Sequence, residues 1–198
     1  MSETSETETS EPKSKKSSKY LRKMQFRSNE KLREYYTKHN CILMTTRFNN
    51  ETWSENVSYR NKYPKYGCIY PTPEQINASI EPNTILLIIE MNNEINQIMG
   101  IGMVKNMVLI KKHNVYTNEN YNRYSYIGKH RIDRQNVNQT ELNYIQDLES
   151  MCFKGPRHMK RLQGIKAFPI DRLFQYKSEK EIDMLECIIQ MFKHRGNI

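Results

Sequence analysis

Between Phe153 and Lys166 the chain reads Phe-Lys-Gly-Pro-Arg-His-Met-Lys-Arg-Leu-Gln-Gly-Ile-Lys, with five cations, one histidine, two glycines and no carboxylate. The cations are Lys154, Arg157, Lys160, Arg161 and Lys166, and the histidine is His158. Lysine offers a point charge and arginine a planar fork of N–H donors, so the set suits gripping phosphates, with salt-sensitive binding as the signature. Protonation of His158 near neutrality would add a further cation. Gly155 and Pro156 stop a helix and Gly164 frees the backbone again, which makes the segment a shaped loop between two regular elements.

A second basic stretch, Lys129-His130-Arg131-Ile132-Asp133-Arg134, follows Tyr121, Tyr124 and Tyr126. In a strand, Lys129, Arg131 and Asp133 share a face opposite His130, Ile132 and Arg134. Cations beside Tyr124 and Tyr126 resemble a surface that stacks bases while holding a backbone, although tyrosines flanking a strand also serve as half-buried packing. Trp53, with its tyrosine neighbours, is either an aromatic pocket for a base or a core anchor. The acids and bases available for catalysis are Glu90, Glu94, Asp133, His130 and His158. No spacing forces the carboxylates into the cluster that a two-metal nuclease needs. No nucleophile elbow, Walker loop or dinucleotide fingerprint is present, and Gly100-Ile-Gly102 is only a fragment of one. Cys41, Cys68, Cys152 and Cys187 lack paired metal spacing, so they are expected to be reduced core residues, with no metal and no cofactor.

The elements that must position these groups come from the pattern of apolar residues. With 198 residues, one domain after a tail is the expectation. The formal charge is +9, but the first twelve residues hold four Glu and no Lys or Arg, so the remaining 186 carry +13. That balance favours a polyanion over an acidic small substrate. No apolar run is long enough to cross a membrane and the start is acidic rather than signal-like, so an intracellular protein is expected. Residues 1–27 read as a disordered arm, acidic and then basic, ahead of a single domain over 28–198.

Within that domain a helix is expected from Ser28 to about His39, with Leu32, Tyr35 and Tyr36 inward, followed by a strand over Cys41–Thr46. The stretch from Asn49 to Tyr70 reads as aromatic and irregular. Thr72-Pro73-Glu74-Gln75 has the form of a helix start. Thr84–Val104 reads as a core β-hairpin, in which Gly100 and Gly102 leave a trough that admits a backbone, an aromatic ring or a ligand. Further strands are expected at Val108–Ile110, Tyr124–Ile132 and Ala167–Phe174. Helices are expected from Asn138 to Gly155 and, after a capping box at Ser178–Glu181, along Ile182, Leu185, Ile189 and Phe192.

Three stretches, Ile89–Gly102, Asn120–Arg134 and the Phe153–Gly164 loop, together resemble a family of uncharacterised proteins encoded by nucleocytoplasmic large DNA viruses, over roughly residues 65–175. The order of a hydrophobic strand (Leu86–Glu90), a Gly-x-Gly strand (Gly100–Val104) and a late Pro-bearing strand (Phe168–Leu173) is similar to PUA-like domains, including the EVE and YTH groups. That likeness implies a small barrel around a groove that reads a base. The expected fold is therefore α+β, a strongly bent mixed sheet or partly open small barrel flanked by helices. The expected function is DNA or RNA binding through the 153–166 loop and the 121–134 strand. A metal-dependent nuclease and a non-selective packaging or virion core protein are the alternatives.

Overall fold

Strand β3 (Ile85–Asn92) is apolar on nearly every residue because both of its faces are covered. It pairs in parallel with β1 (Cys41–Phe48) and antiparallel with β4 (Gln97–Lys105). Strand β6 (His130–Asp133) adds to the outer side of β4 and the two-residue β7 (Lys166–Ala167) to the outer side of β1. The mixed five-stranded sheet thus runs β6-β4-β3-β1-β7, and β2 (Cys68–Thr72) with β5 (Tyr124–Gly128) forms a separate antiparallel pair. A computed structural model describes residues 38–197 together with Glu30 and Glu34. Met1–Lys38 is a unit apart from His39–Ile198, and its described residues Glu30, Glu34 and Lys38 are helical. The expected arm over 1–27 and the positions Leu32, Tyr35 and Tyr36 lie outside the described residues.

Side-chain alternation sends Leu86, Ile88 and Glu90 to one face of β3 and Leu87, Ile89 and Met91 to the other. The first face belongs to a core shared with Met44, Phe48, Ile69, Tyr70, Val104 and Tyr126, against which Trp53 and Tyr59 of α1 (Asn50–Lys62) pack. Helices α2 (Gln139–Phe153), α3 (Ile170–Lys180) and α4 (Met184–Lys193) form a second assembly, α4 touching both others and α2 reaching β4. They bury Ile145, Leu148, Leu173, Leu185, Ile188 and Phe192. Each such side chain stabilises the fold by about 1.5–3 kcal/mol through removal from water.

Several expectations hold, and others give way to tertiary contacts. The hairpin β3–β4 and helix α2 form where the pattern puts them, α2 with a capping box of Asn138 and Glu141. The α+β class is as expected, but the sheet does not curl into a barrel. Its ends, β6 and β7, do not meet, and β2–β5 stands apart instead of continuing it. Phe168–Leu173 is not the late strand of such a barrel, since β7 stops at Ala167 and Pro169 opens α3. Residues 73–79 are not helical: the Ile76 amide donates to the Tyr126 hydroxyl (3.0 Å) and the Ser79 amide to the Asn77 side chain (2.9 Å). Residues 108–110 form no strand; Leu109 makes one backbone bond to Ser125, and Ile110 is fully exposed. Tyr124–Ile132 is broken at Lys129 into β5 and β6, which belong to different sheets. Ser178 lies inside α3, and Asp183 caps α4 in place of the expected box.

Beyond α4, Arg195 reaches back to the first turn of α2 and donates to both oxygens of Glu141, at 2.7 Å each. That hydrogen bond holds the Glu141 carboxyl below the usual carboxylate range, against the opposing effect of burial. A depressed folded-state pKa stabilises above the unfolded value, about 4.3 for Glu, and that contribution is lost as pH falls through the folded value. The thermal midpoint is therefore expected to stay level from neutrality to about pH 4 and to drop below it, with a shallower acid drop in Glu141→Gln. Thermal melts across that range check this, and an unchanged acid slope in the variant would contradict it.

Candidate nucleic-acid interface

Helix α2 stops at Phe153, and Gly155 follows with φ of +75°, a left-handed conformation that glycine adopts without strain. Gly164 at φ +64° turns the chain again before β7, so the basic segment is the shaped loop that its glycines require. What fixes its base is Arg47 of β1. Its Nε donates to the Met159 carbonyl at 2.7 Å and a terminal nitrogen donates to the Gly164 carbonyl at 3.1 Å. The other terminal nitrogen donates to the Thr45 hydroxyl at 2.8 Å. Burial pulls the Arg47 guanidinium down to about 10, so it remains a cation at neutral pH. Met159 is buried, and its amide donates to the Cys152 carbonyl at 2.7 Å, closing the loop onto α2.

The loop presents its cations in three ways. Lys154 and Arg161 are exposed and make no ion pair among the described residues. Lys160 donates to the Asn96 side-chain oxygen at 2.8 Å. Arg157 pairs with Asp171 and Lys166 with Glu74, both on the surface. Exposed pairs of this kind contribute at most about 1 kcal/mol, little enough for a phosphate to displace the carboxylate. His158 is half-buried, and its Nδ1 accepts from the Lys160 amide at 3.4 Å.

The second stretch is placed differently from its sequence reading. Arg131 is buried and grips Glu90 of β3 through Nε (3.0 Å to each oxygen) and a terminal nitrogen (2.7 Å), while its other terminal nitrogen meets Asp133 at 2.5 Å. Tyr70 donates its hydroxyl to the same Glu90 at 2.7 Å. Burial pulls the Arg131 guanidinium down, and Glu90 outweighs it, leaving the group raised. Arg131 is thus an internal counterion and not a phosphate ligand. Arg134 is likewise committed to Glu149 at 2.5 Å and to the Ile98 carbonyl at 3.1 Å. Tyr126 is only 1% exposed, with its hydroxyl accepting from Ile76, so it is not available for stacking; Tyr124 is half-buried against the core. Trp53 takes its core role: it packs edge-on against Phe48 with centroids 5.2 Å apart, and the guanidiniums of Arg60 and Arg131 lie over its ring at 5.4 and 5.5 Å.

Lys129 remains exposed, but away from the loop. The loop meets the 93–96 turn that opens β4, whereas Lys129 precedes His130, the partner of Met103 near the end of that strand. Six strand residues separate the two places, about 20 Å. Gly67 stands against the Lys129 carbonyl, and the residues just before it belong to an aromatic and cationic group in a stretch expected to be irregular. Tyr59, Tyr63, Tyr66 and His113 pack ring to ring, with Lys62 over Tyr63 at 5.6 Å and Lys65 over Tyr66 at 5.0 Å. Helix α1 creates it, because Tyr59 and Tyr63 sit one turn apart. A signal was present in the Asn49-x-x-Thr52 capping box.

Glu90 and Asp133 meet on Arg131 and share its one positive charge, while Glu94 stands exposed in the turn. Among the described residues no three His, Cys, Asp or Glu side chains converge on a point. All four cysteines are free thiols, and burial pushes Cys41, Cys68 and Cys152 up to about 12. No helix among the described residues is long and apolar enough to cross a membrane. No protein-family model, curated protein or solved structure matches the chain.

Proposed function

We propose that the protein binds nucleic acid, DNA or RNA, with the loop 153–166 as its phosphate grip. The observation that carries this reading is a loop free of carboxylates in which Lys154, Arg157 and Arg161 are exposed and Lys160 and Lys166 half-buried, each unpaired or only weakly paired, on a backbone pinned to β1 by Arg47. Lys154, Arg157, Lys160 and Arg161 hold the phosphates, with Lys166 and His158 at the margins. Pre-positioning the loop reduces the ordering entropy that binding would otherwise require. The net +13 outside the first twelve residues draws a polyanion in from solution. Lys129 belongs, with Lys62 and Lys65, to a second contact further along the surface, so a strand that engages both extends over about 20 Å.

The test is a titration against single- and double-stranded DNA and RNA at low and moderate salt, with wild type and the variant Lys154→Gln, Arg157→Gln, Lys160→Gln, Arg161→Gln. Each lost phosphate contact lowers the slope of log K against log salt by about 0.7–0.9, so the fourfold variant is expected to lose a slope of about 3. Wild type that binds none of the four at low salt, or a variant with an unchanged slope, would remove the loop from this role. Equal affinity for all four nucleic acids is the behaviour of a packaging protein.

A further inference from the structure

At the end of β4 the chain runs Lys105-Asn-Met-Val-Leu-Ile-Lys-Lys-His113, and no carboxylate occurs between Lys105 and Asn118. Four apolar residues in a row would ordinarily turn inward, and here only the middle two do so in part. Val108 packs against the core and Leu109 is half-buried, whereas Met107 is 55% exposed and Ile110 fully exposed. This outward pair is not the product of a slack chain. Asn106 is fixed at the start of the segment, its backbone amide donating to the Thr84 carbonyl and its side-chain nitrogen to the Ile80 carbonyl, each at 2.8 Å. The Leu109 amide donates to the Ser125 carbonyl of β5 at 3.0 Å, and the buried His113 closes the segment with its Nδ1 2.6 Å from the Tyr59 hydroxyl. A loop tied at its start, middle and end thus holds two large apolar side chains in water, at a cost that a covering apolar phase recovers.

A single outward isoleucine is common on protein surfaces; what sets this one apart is its surroundings. Lys105, Lys111 and Lys112 are exposed beside it in the chain. Lys65 joins them across the fold, since burial, and after it the charges of Lys111 and Lys65, hold the His113 imidazole below its ordinary range. The half-buried Tyr66 has its ring centroid 5.6 Å from that of His113, with Lys65 over the ring at 5.0 Å. Glu119 meets Lys112 at 3.8 Å in a pair exposed on both sides, which is held too weakly to cancel the lysines. Glu81 stands at the foot of the loop, where its carbonyl accepts from the Asn106 side chain at 3.2 Å. A nucleic-acid backbone would engage these lysines and leave Met107 and Ile110 in water. A bilayer with anionic headgroups takes both, because apolar side chains enter the acyl boundary while tyrosine and lysine stay at headgroup level.

We infer that residues 105–112 dock the protein on the surface of an anionic lipid bilayer, with Met107 and Ile110 entering the bilayer and Lys105, Lys111 and Lys112 holding the headgroups. This surface does not rest on the proposed nucleic-acid binding. Lys105 ends β4 and the loop 153–166 meets the turn before it, so the two lie toward opposite ends of that strand, about 25 Å apart.

The probe is flotation of the full chain with vesicles of equal parts phosphatidylcholine and phosphatidylserine, against vesicles of phosphatidylcholine alone. Each lysine at an anionic surface accounts for about fivefold in affinity, so wild type is expected to prefer the anionic vesicles by well over tenfold, and Lys111→Gln with Lys112→Gln to lower that binding by about 25-fold. Met107→Ser with Ile110→Ser, both on the surface, is expected to weaken it about tenfold with melting unchanged. Ile110→Trp reads insertion directly: its emission, taken as the difference from wild type with Trp53 alone, is expected to shift to the blue on adding anionic vesicles. Absence of flotation by wild type at low salt, absence of the blue shift, or equal binding by the serine variant overturns the assignment. Self-association of wild type without vesicles that the serine variant abolishes also overturns it, because the apolar tip would then join two copies of the chain. The fourfold loop variant is expected to float as wild type does while it loses nucleic acid, and a loop variant that no longer floats would move the membrane contact away from residues 105–112.

Discussion

Arg131→Met is expected to lower the unfolding free energy by about 3–5 kcal/mol, because it leaves the fully buried Glu90 carboxylate without its counterion. For a chain of this size that corresponds to a fall of roughly 6–20 °C in Tm. The loss arises from breaking the pair, not from any large net stability of the pair itself, since taking two charges out of water offsets much of their attraction. Glu90→Leu combined with Arg131→Met is therefore expected to recover most of the loss, even though Tyr70 and Asp133 each give up a partner. Urea unfolding of wild type, both single variants and the double variant measures the coupling. A single variant that loses less than about 1 kcal/mol would mean that Glu90 finds water or a proton in place of the guanidinium.

Gly102→Ala is expected to destabilise by about 3 kcal/mol through overpacking. The added methyl would lie 1.8 Å from the Tyr70 hydroxyl oxygen, 2.8 Å from its ring and 2.9 Å from the Cys68 sulfur. None of these can retreat easily. Tyr70 is 1% exposed and tied to Glu90, and burial pushes its phenol well above the usual value, so it stays protonated and donating. Tyr70→Phe removes the nearest atom and is expected to make Gly102→Ala less damaging than in the wild-type background, a coupling that the same unfolding experiments report. Additive losses would mean that the two residues do not touch.

These two residues show how far the sequence carries. The glycines of β4 announce that something must approach the strand closely, because a chain has no other reason to leave two gaps on one face of a core hairpin. What approaches is set by contacts across 20 to 41 residues, Tyr70 and Arg131 on Glu90, and a local pattern holds no trace of them. The same limit misplaced Arg131 and Arg134. Both are cations in a basic run, and only the fold shows that Glu90 and Glu149 stand opposite. The loop was legible because its signals are local: two left-handed glycines, a proline and five cations with no carboxylate among them. Helix α1 was hidden by an inward side that is partly polar, with Asn56 buried on the Ile69 carbonyl and Tyr116 hydroxyl, so no apolar stripe betrays it.

The anchor of the loop is a cation that meets only neutral oxygens, the carbonyls of Met159 and Gly164 and the hydroxyl and carbonyl of Thr45. Ion pairs fade as mobile ions crowd in, whereas short bonds from a sheltered guanidinium to neutral oxygens are screened far less. For the proposed nucleic-acid binding, rising ionic strength is then expected to strip the ligand from a loop that keeps its shape, so that release and reloading need no refolding of the grip.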